Sequence, residues 1–216
     1  MNKLYRFDES NFMAICDHLA KMDADLGAIL EKHGYPPCWK RPSSFETLVH
    51  IILEQQVSLA SALSAMKRLK EKTGEITPRN LQALSDAELR SCFFSRQKII
   101  YTRQLTAAVI SGELDIGELE NMDNEAVRSR LTAIKGIGNW SADVYLMMAL
   151  HRSDIFPLGD VALLTSMRET MQLPPNTPAS AMALLADKWK PYRTIAAFIL
   201  WHAYLSRRKR QSSVFK

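Results

Sequence analysis

A chain of 216 residues, 47% of them hydrophobic, is long enough to bury a core without disulfides or metal ions as staples. Its 28 Lys and Arg outnumber 23 Asp and Glu, and the formal net charge of +5 favours polyanionic partners through counterion release without singling one out. The three cysteines, Cys16, Cys38 and Cys92, are odd in number, far apart and in no CxxC or CxxH pattern. Neither a disulfide framework nor a zinc site is suggested, and the cysteines read as small hydrophobes in a reducing compartment.

The longest apolar runs, Val144 to Leu150 and Thr194 to Trp201, fall far short of the roughly 20 residues that cross a bilayer. The start, MNKLYRFDESNF, carries acids where a signal peptide needs an apolar stretch, so a soluble, intracellular protein is expected. No alternating strand pattern extends beyond a few residues, and the expected fold class is all-α.

Taken in order, residues 10 to 33 read as one or two helices, with Asp23 a possible second N-cap and Gly34 a stop. The loop Tyr35 to Pro42 is a crossing. Ser43 with Glu46 predicts a capping box for a helix whose stripe of Phe45, Leu48, Val49, Ile52 and Leu53 is core. A polar joint, Glu54-Gln55-Gln56-Val57, leads to Ser58 as cap of a helix running to about Lys72 and stopping at Gly74. Thr77-Pro78 opens a short helix, Ser85 with Glu88 forms a second capping box, and Ser95 begins a helix that ends near Gly112.

Asp123 begins the next helix, which runs into Lys135-Gly136-Ile137-Gly138-Asn139. Either glycine can take positive φ, and neither carries a side chain that would keep another backbone away. With Asn139 as N-cap of the following helix, free N–H groups and the positive end of a helix dipole face the hairpin, and a phosphate would fit there. A lone GxG between helices is also compatible with an ordinary corner. Asp160 can cap the helix Val161 to Met171, and Thr177 with Pro178 opens the first of two closing helices, split at Pro191. The basic tail Arg207-Arg208-Lys209-Arg210 reads as a solvated, frayed end, a nuclear address or a phosphate contact.

The run Leu131, Lys135-Gly136-Ile137-Gly138, Trp140, Ser141-Ala142 with Asp160 beyond it resembles the helix-hairpin-helix (HhH-GPD) DNA glycosylases, in particular their alkylpurine branch, 3-methyladenine DNA glycosylase II. FETLVHIILEQQVSLASA at 45 to 62 and WKPYRTIAAFILWHAYL at 189 to 205 agree, so the likeness spans Phe45 to Leu205. It implies one HhH-GPD unit over 1–216 built as two helical lobes with a DNA-facing cleft. The hairpin element would cover about 124–150, and segments 1–42 and about 177–216 would pack in one lobe. The start lies too close to Phe45 for the β-rich domain that precedes some relatives, and a compact monomer is expected.

Hydrolysis of an N-glycosidic bond expels a base and leaves an oxocarbenium-like sugar, so negative charge must stand beside the sugar while the base is held outside the stack. By resemblance Asp160 is the catalytic aspartate, orienting or deprotonating the attacking water; read alone, it is equally a plain helix cap. Asp143 and Asp154 are weaker candidates. Trp140 stands where bifunctional relatives place a Schiff-base lysine and has no nucleophilic nitrogen, which implies a monofunctional enzyme without lyase activity. Its electron-rich face suits a cationic alkylated base. Trp201 aligns with another pocket aromatic, and core packing is the alternative for both tryptophans.

The resemblance further assigns Gln56 as the wedge that fills the gap left by a flipped nucleotide, where some alkylpurine enzymes have leucine. The alternative is a glutamine bonding backbone at the joint. Gly136, Ile137, Gly138 and Ser58 would bind DNA. The carbonyls of Thr132, Ile134 and Ile137 match those that hold a structural Na⁺ or K⁺ in the family. The cysteines of an iron–sulfur cluster are absent. His18, His33, His50, His151 and His202 lack ligand spacing, and there is no GxxxxGK[ST] element. No catalytic cofactor is expected, and double-stranded DNA with a damaged base is the expected partner. The expected activity is hydrolytic removal of 3-methyladenine and 7-methylguanine in base excision repair. A non-catalytic DNA-structure binder, or a glycosylase for ethenoadenine, hypoxanthine or oxidised bases, stays open.

Overall fold

The computed structural model describes residues 5–214, with side chains described through Arg208. Twelve α-helices and two short 3₁₀ turns account for its regular structure, and among the described residues the extended pairing amounts to one isolated antiparallel bridge, Arg6 with Arg152. The all-α expectation holds. No helix among the described residues is long and apolar enough to cross a membrane. The chain divides into two compact units, one made of residues 1–40 with 151–216 and the other of residues 41–150.

The unit formed by 41–150 contains α3 (Phe45–Glu54), α4 (Leu59–Thr73), α5 (Pro78–Ala83), α6 (Asp86–Ser91), α7 (Arg96–Ile110), a 3₁₀ turn (Glu118–Asn121), α8 (Asn124–Thr132) and α9 (Asn139–Met148). Its apolar run becomes the interior of α9, where every residue from Ser141 to Met147 is buried. A helix buried on all sides must pair whatever polar groups it carries. Asp143 takes the guanidinium Nε of Arg128 on α8 at 2.6 Å, and the Tyr145 hydroxyl meets Ser43 Oγ at 2.8 Å. Burial pushes the Tyr145 phenol up to about 12, against the opposing bond from Ser43. Helix α3 packs on α4, α7 and α9 and buries Phe45, Leu48, Val49, Ile51, Ile52 and Leu53.

The other unit holds α1 (Phe12–Met22), α2 (Ala24–His33), α10 (Val161–Thr170), α11 (Ala179–Ala186), a 3₁₀ turn (Asp187–Trp189) and α12 (Arg193–Val214). Here α12 is the central rod, packed by α10, α1 and α2, with Ile195 to Leu200 fully buried. Phe7, Phe12, Trp39 and Trp201 gather their rings around Phe198. The chain start is tied in by Phe7 N–H to the His151 carbonyl and Ser153 N–H to the Tyr5 carbonyl, both at 3.0 Å. Asp23 caps α2 through the Asp25 amide and also accepts Trp189 Nε1 at 2.7 Å and Lys188 Nζ at 2.8 Å. Burial works to raise the Asp23 carboxyl, but those two partners outweigh it and hold it below its ordinary value.

Most expected caps are in place: Asp23, Ser58, Thr77, Ser95, Asp123 and Asp160 each accept an amide of the first turn, and Ser85 with Glu88 forms the full capping box. Three expectations shift by one residue. Ser44, not Ser43, caps α3 through the Thr47 amide, because the Ser43 hydroxyl is engaged by Tyr145. Pro178, not Thr177, precedes α11, and the Thr177 hydroxyl bonds back to the Pro174 carbonyl instead. Gly138, not Asn139, is the N-cap of α9, its carbonyl accepting the Ala142 amide at 3.0 Å. The basic tail does not fray at Arg207: α12 continues through it, Arg207 pairs with Glu169 at 2.9 Å, and Arg208 lies over the Tyr204 ring. The side chains of Lys209 and Arg210 lie outside the described residues. Cys16 and Cys92 are buried and Cys38 partly so, with burial raising the Cys16 thiol to about 12.

Candidate nucleic-acid interface and active site

The hairpin joins α8 to α9 by a tight turn closed by Ile137 N–H on the Ile134 carbonyl at 3.0 Å. Its two glycines do different work. Gly136 sits at φ +103, in the left-handed region, and a Cβ there would run into the Tyr101 ring on α7. Gly138 has φ −96 and ψ 179, and nothing lies within 4 Å of where its Cβ would be. Gly136 is thus required by packing, whereas the missing side chain of Gly138 leaves open space on an exposed surface. No side chain caps α9, whose N-cap is that open glycine. Asn139 and Trp140 are the first two residues of α9, Trp140 half-buried, and Lys135 is exposed. The Ile137 side chain is buried, at 4% exposure, so what Ile137 presents to solvent is backbone.

The joint between α3 and α4 carries the glutamine pair. Gln55 ends α3, and its side-chain amide Nε2 donates to the Gly136 carbonyl at 2.8 Å and to Ser141 Oγ at 3.0 Å. The glutamine that bonds backbone at this joint is therefore Gln55. Gln56 is exposed and held at φ +57, a left-handed conformation that costs a non-glycine residue about 1 to 2 kcal/mol. Such strain persists only where neighbours over-determine it. Upstream, Arg41 grips the nearly buried Glu54 carboxylate with two bonds of 2.9 and 2.6 Å, and Lys98 Nζ donates to the Leu53 carbonyl at the end of α3. Burial lowers the Lys98 ammonium from its ordinary range. Downstream, Ser58 accepts the Ser61 amide at 3.2 Å and fixes the start of α4.

The carbonyls of Thr132, Ile134 and Ile137 belong to the end of α8 and the turn, and that of Ile134 already receives the Ile137 amide. Uncharged carbonyl oxygens suit a monovalent cation. Among the described residues no group of three or more His, Cys, Asp or Glu is placed to hold a metal.

Asp160 lies in the other unit, after the turn Pro157 to Gly159, where the Asp160 amide bonds the Pro157 carbonyl at 2.9 Å. Its Oδ1 accepts the Leu163 amide at 2.7 Å and the Trp201 indole Nε1–H at 3.1 Å. The carboxylate is half-buried, next to Val161, which is 78% exposed. Trp201 is only 9% exposed, stacked on Phe198 at 5.7 Å and edge-on to Trp39 at 6.3 Å. The indole is thus packed in an aromatic cluster with its polar edge turned to Asp160. The two rival carboxylates are committed elsewhere: Asp143 to Arg128, and Asp154 to Arg193 through bonds of 2.6 and 3.0 Å.

Sequence reasoning passed over Gln55, Tyr101, Arg41 and Lys98. Gln55 could have been suspected from its place beside Gln56 at a helix end, where a polar side chain on the buried side needs a partner. The other three make tertiary contacts that leave no local signature.

Residues 49–191 match the family described as HhH-GPD superfamily base excision DNA repair protein. A putative DNA-3-methyladenine glycosylase of Bacillus subtilis, YfjP, is 29% identical over 90% of this chain and 70% of its own length. Among solved structures, the 3-methyladenine DNA glycosylase of Schizosaccharomyces pombe in complex with abasic DNA superposes with a TM-score of 0.80 and 28% identity, covering 87% of this chain and 95% of that one. The DNA-3-methyladenine glycosidase of Bacillus halodurans gives a TM-score of 0.73 and 31% identity over 95% of this chain and 94% of its own.

Proposed function

We propose that this chain, which belongs to the HhH-GPD superfamily of base excision DNA repair proteins, hydrolyses the N-glycosidic bond of alkylated purines such as 3-methyladenine and 7-methylguanine in double-stranded DNA. The observation that carries the reading is Asp160, a half-buried carboxylate whose Oδ1 is fixed by two N–H donors while both competing aspartates are spent on arginines. The names of the relatives, DNA-3-methyladenine glycosylases at 28 to 31% identity, support the substrate class.

In this mechanism the hairpin amides and the uncapped start of α9 grip a phosphate, Gln56 enters the stack, and the damaged nucleotide leaves it. The C1′–N bond of the cationic purine breaks with its electron pair going to the base, which departs neutral. Asp160 stabilises the oxocarbenium-like sugar and accepts a proton from the water that attacks C1′, leaving an abasic site. A fixed carboxylate needs no reorganisation as charge develops, which is where preorganisation lowers a barrier. Trp140 offers its face to the cationic base and no amine to the sugar, so the strand stays intact. A monovalent cation would be held by the carbonyls of Thr132, Ile134 and Ile137 and would supply positive charge at the hairpin.

The test is to incubate the protein with methylated duplex DNA and identify released bases by mass. Free 3-methyladenine is the expected result. Binding without release of any base, across a panel of alkylated, deaminated and oxidised lesions, would overturn the reading in favour of a DNA-structure binder.

A further inference from the structure

Gln55 has a place in the site that its neighbour does not explain. The side chains of Gln55 and Gln56 diverge: Gln56 stands exposed at φ +57, and Gln55 reaches back to the Gly136 carbonyl and Ser141 Oγ. One amide group therefore joins three parts of the 41–150 unit: the turn that carries Gln56, the backbone of the hairpin, and the first turn of α9. Both acceptors are held rigidly. Gly136 is packed close against the Tyr101 ring, and Ser141 is 3% exposed. The ends of the turn are held by Arg41 on Glu54, by Lys98 of α7 on the Leu53 carbonyl and by the Ser58 cap, none of which reaches the hairpin.

We infer that Gln55 is a positioning residue that holds the Gln56 side chain in register with the hairpin, so that gripping a phosphate and filling the gap left by a flipped nucleotide occur as one event. This rests on the proposed glycosylase reading. The physical reason is distance: a wedge works only at a set separation from the phosphate that anchors the strand, and a group that must act in a fixed geometry loses effect when misplaced by about 1 Å. Gln55 is the side-chain link between the two elements that sets this separation without touching DNA itself. Its influence falls on discrimination between flipped and stacked nucleotides, because contacts to an undistorted duplex do not require the wedge.

The test compares wild type, Gln55→Met, Gln56→Ala and the double variant on duplexes carrying 2-aminopurine beside an alkylated-purine analogue, whose fluorescence rises on unstacking. Affinity for undamaged duplex and the melting temperature are measured on the same preparations. Gln55→Met keeps the length and loses both donors. It should lower the captured fraction about tenfold, the worth of one or two hydrogen bonds, and leave undamaged binding within about twofold. In the double variant the losses should not add, because Gln55 acts through Gln56. Additive losses, or equal losses on both duplexes, would overturn the inference and make Gln55 a plain structural brace. Ser141→Ala, which removes one acceptor and leaves the Gly136 bond, should move capture in the same direction by less. If Gln55→Met fails to fold, an effect of Ser141→Ala on undamaged binding alone overturns the inference. Wild type that unstacks nothing overturns both the inference and the glycosylase reading, whereas wild-type unstacking matched by Gln55→Met overturns the inference alone.

Discussion

The indole Nε1–H of Trp201 donates to Oδ1 of Asp160 at 3.1 Å, the same oxygen that holds the Leu163 amide at 2.7 Å. A side chain on α12 thereby sets the rotation of a carboxylate at the start of α10, and a carboxylate so held keeps one direction relative to its helix. Trp201→Phe keeps the ring against Phe198 and deletes only the donor. Single-turnover excision should fall about 10- to 100-fold, as when the outer partner of a reactive group is removed. The melting temperature should change little by comparison, and normal excision would show that the bond is incidental.

Asp160→Asn keeps an oxygen for the Leu163 amide and the Trp201 indole, and Asn and Asp are near equals as N-caps. Folding should survive. Base release should drop by about 10² to 10⁴, because both the charge facing the sugar cation and the proton acceptor are gone. Excision, melting and lesion affinity measured on one preparation decide it: near-normal excision in a folded variant reduces Asp160 to a helix cap.

Gln56→Ala should weaken capture of flipped nucleotides by about 1 to 2 kcal/mol, less than the few kcal/mol of unstacking that the wedge partly offsets. Binding to undistorted duplex should barely change. Equal weakening on lesion and undamaged DNA would mark Gln56 as a phosphate contact instead.

Borohydride should trap no covalent adduct between wild-type protein and lesion DNA, and abasic strands should break only after alkali. The basis is Trp140 at the second position of α9, with Lys135 exposed on the far side of the glycine turn. Trapping at the level of a known lyase would refute this.

The two hairpin glycines should respond in opposite ways. Gly136→Ala forces a Cβ into the Tyr101 ring at φ +103 and should cost about 2 to 4 kcal/mol of stability. For a chain of this size that lowers the melting temperature by about 5 to 15 °C. Gly138→Ala has room and an allowed φ, so melting should hold; on the proposed reading DNA affinity should fall, because the methyl would crowd the phosphate. Loss of stability in Gly138→Ala with unchanged affinity would contradict the division of roles.

Local chemistry was readable from the chain itself. Side-chain caps at Ser58, Ser95 and Asp123, the glycine stops at Gly34 and Gly74, and the apolar runs that became α9 and the buried part of α12 all depend on residues within a turn or two of one another. The glycine hairpin and the cap at Asp160 were legible for the same reason, whereas the catalytic role of Asp160 came from family resemblance alone. Tertiary structure decided which of several equivalent local options was used. Ser43 and Ser44 are both good caps, and the Tyr145 hydroxyl, a hundred residues on, claimed the first. Gly136 and Gly138 look alike until Tyr101 packs against one of them. Of the three aspartates, Asp143 pairs with Arg128, Asp154 with Arg193, and Asp160 takes the Trp201 indole. Gln55 and Gln56 are the same residue side by side, and a helix end that points one at the hairpin and strains the other into solvent gives them different surroundings. In each case the deciding partner is distant in sequence, because burial requires every polar group to find a partner and packing alone determines which one lies within reach.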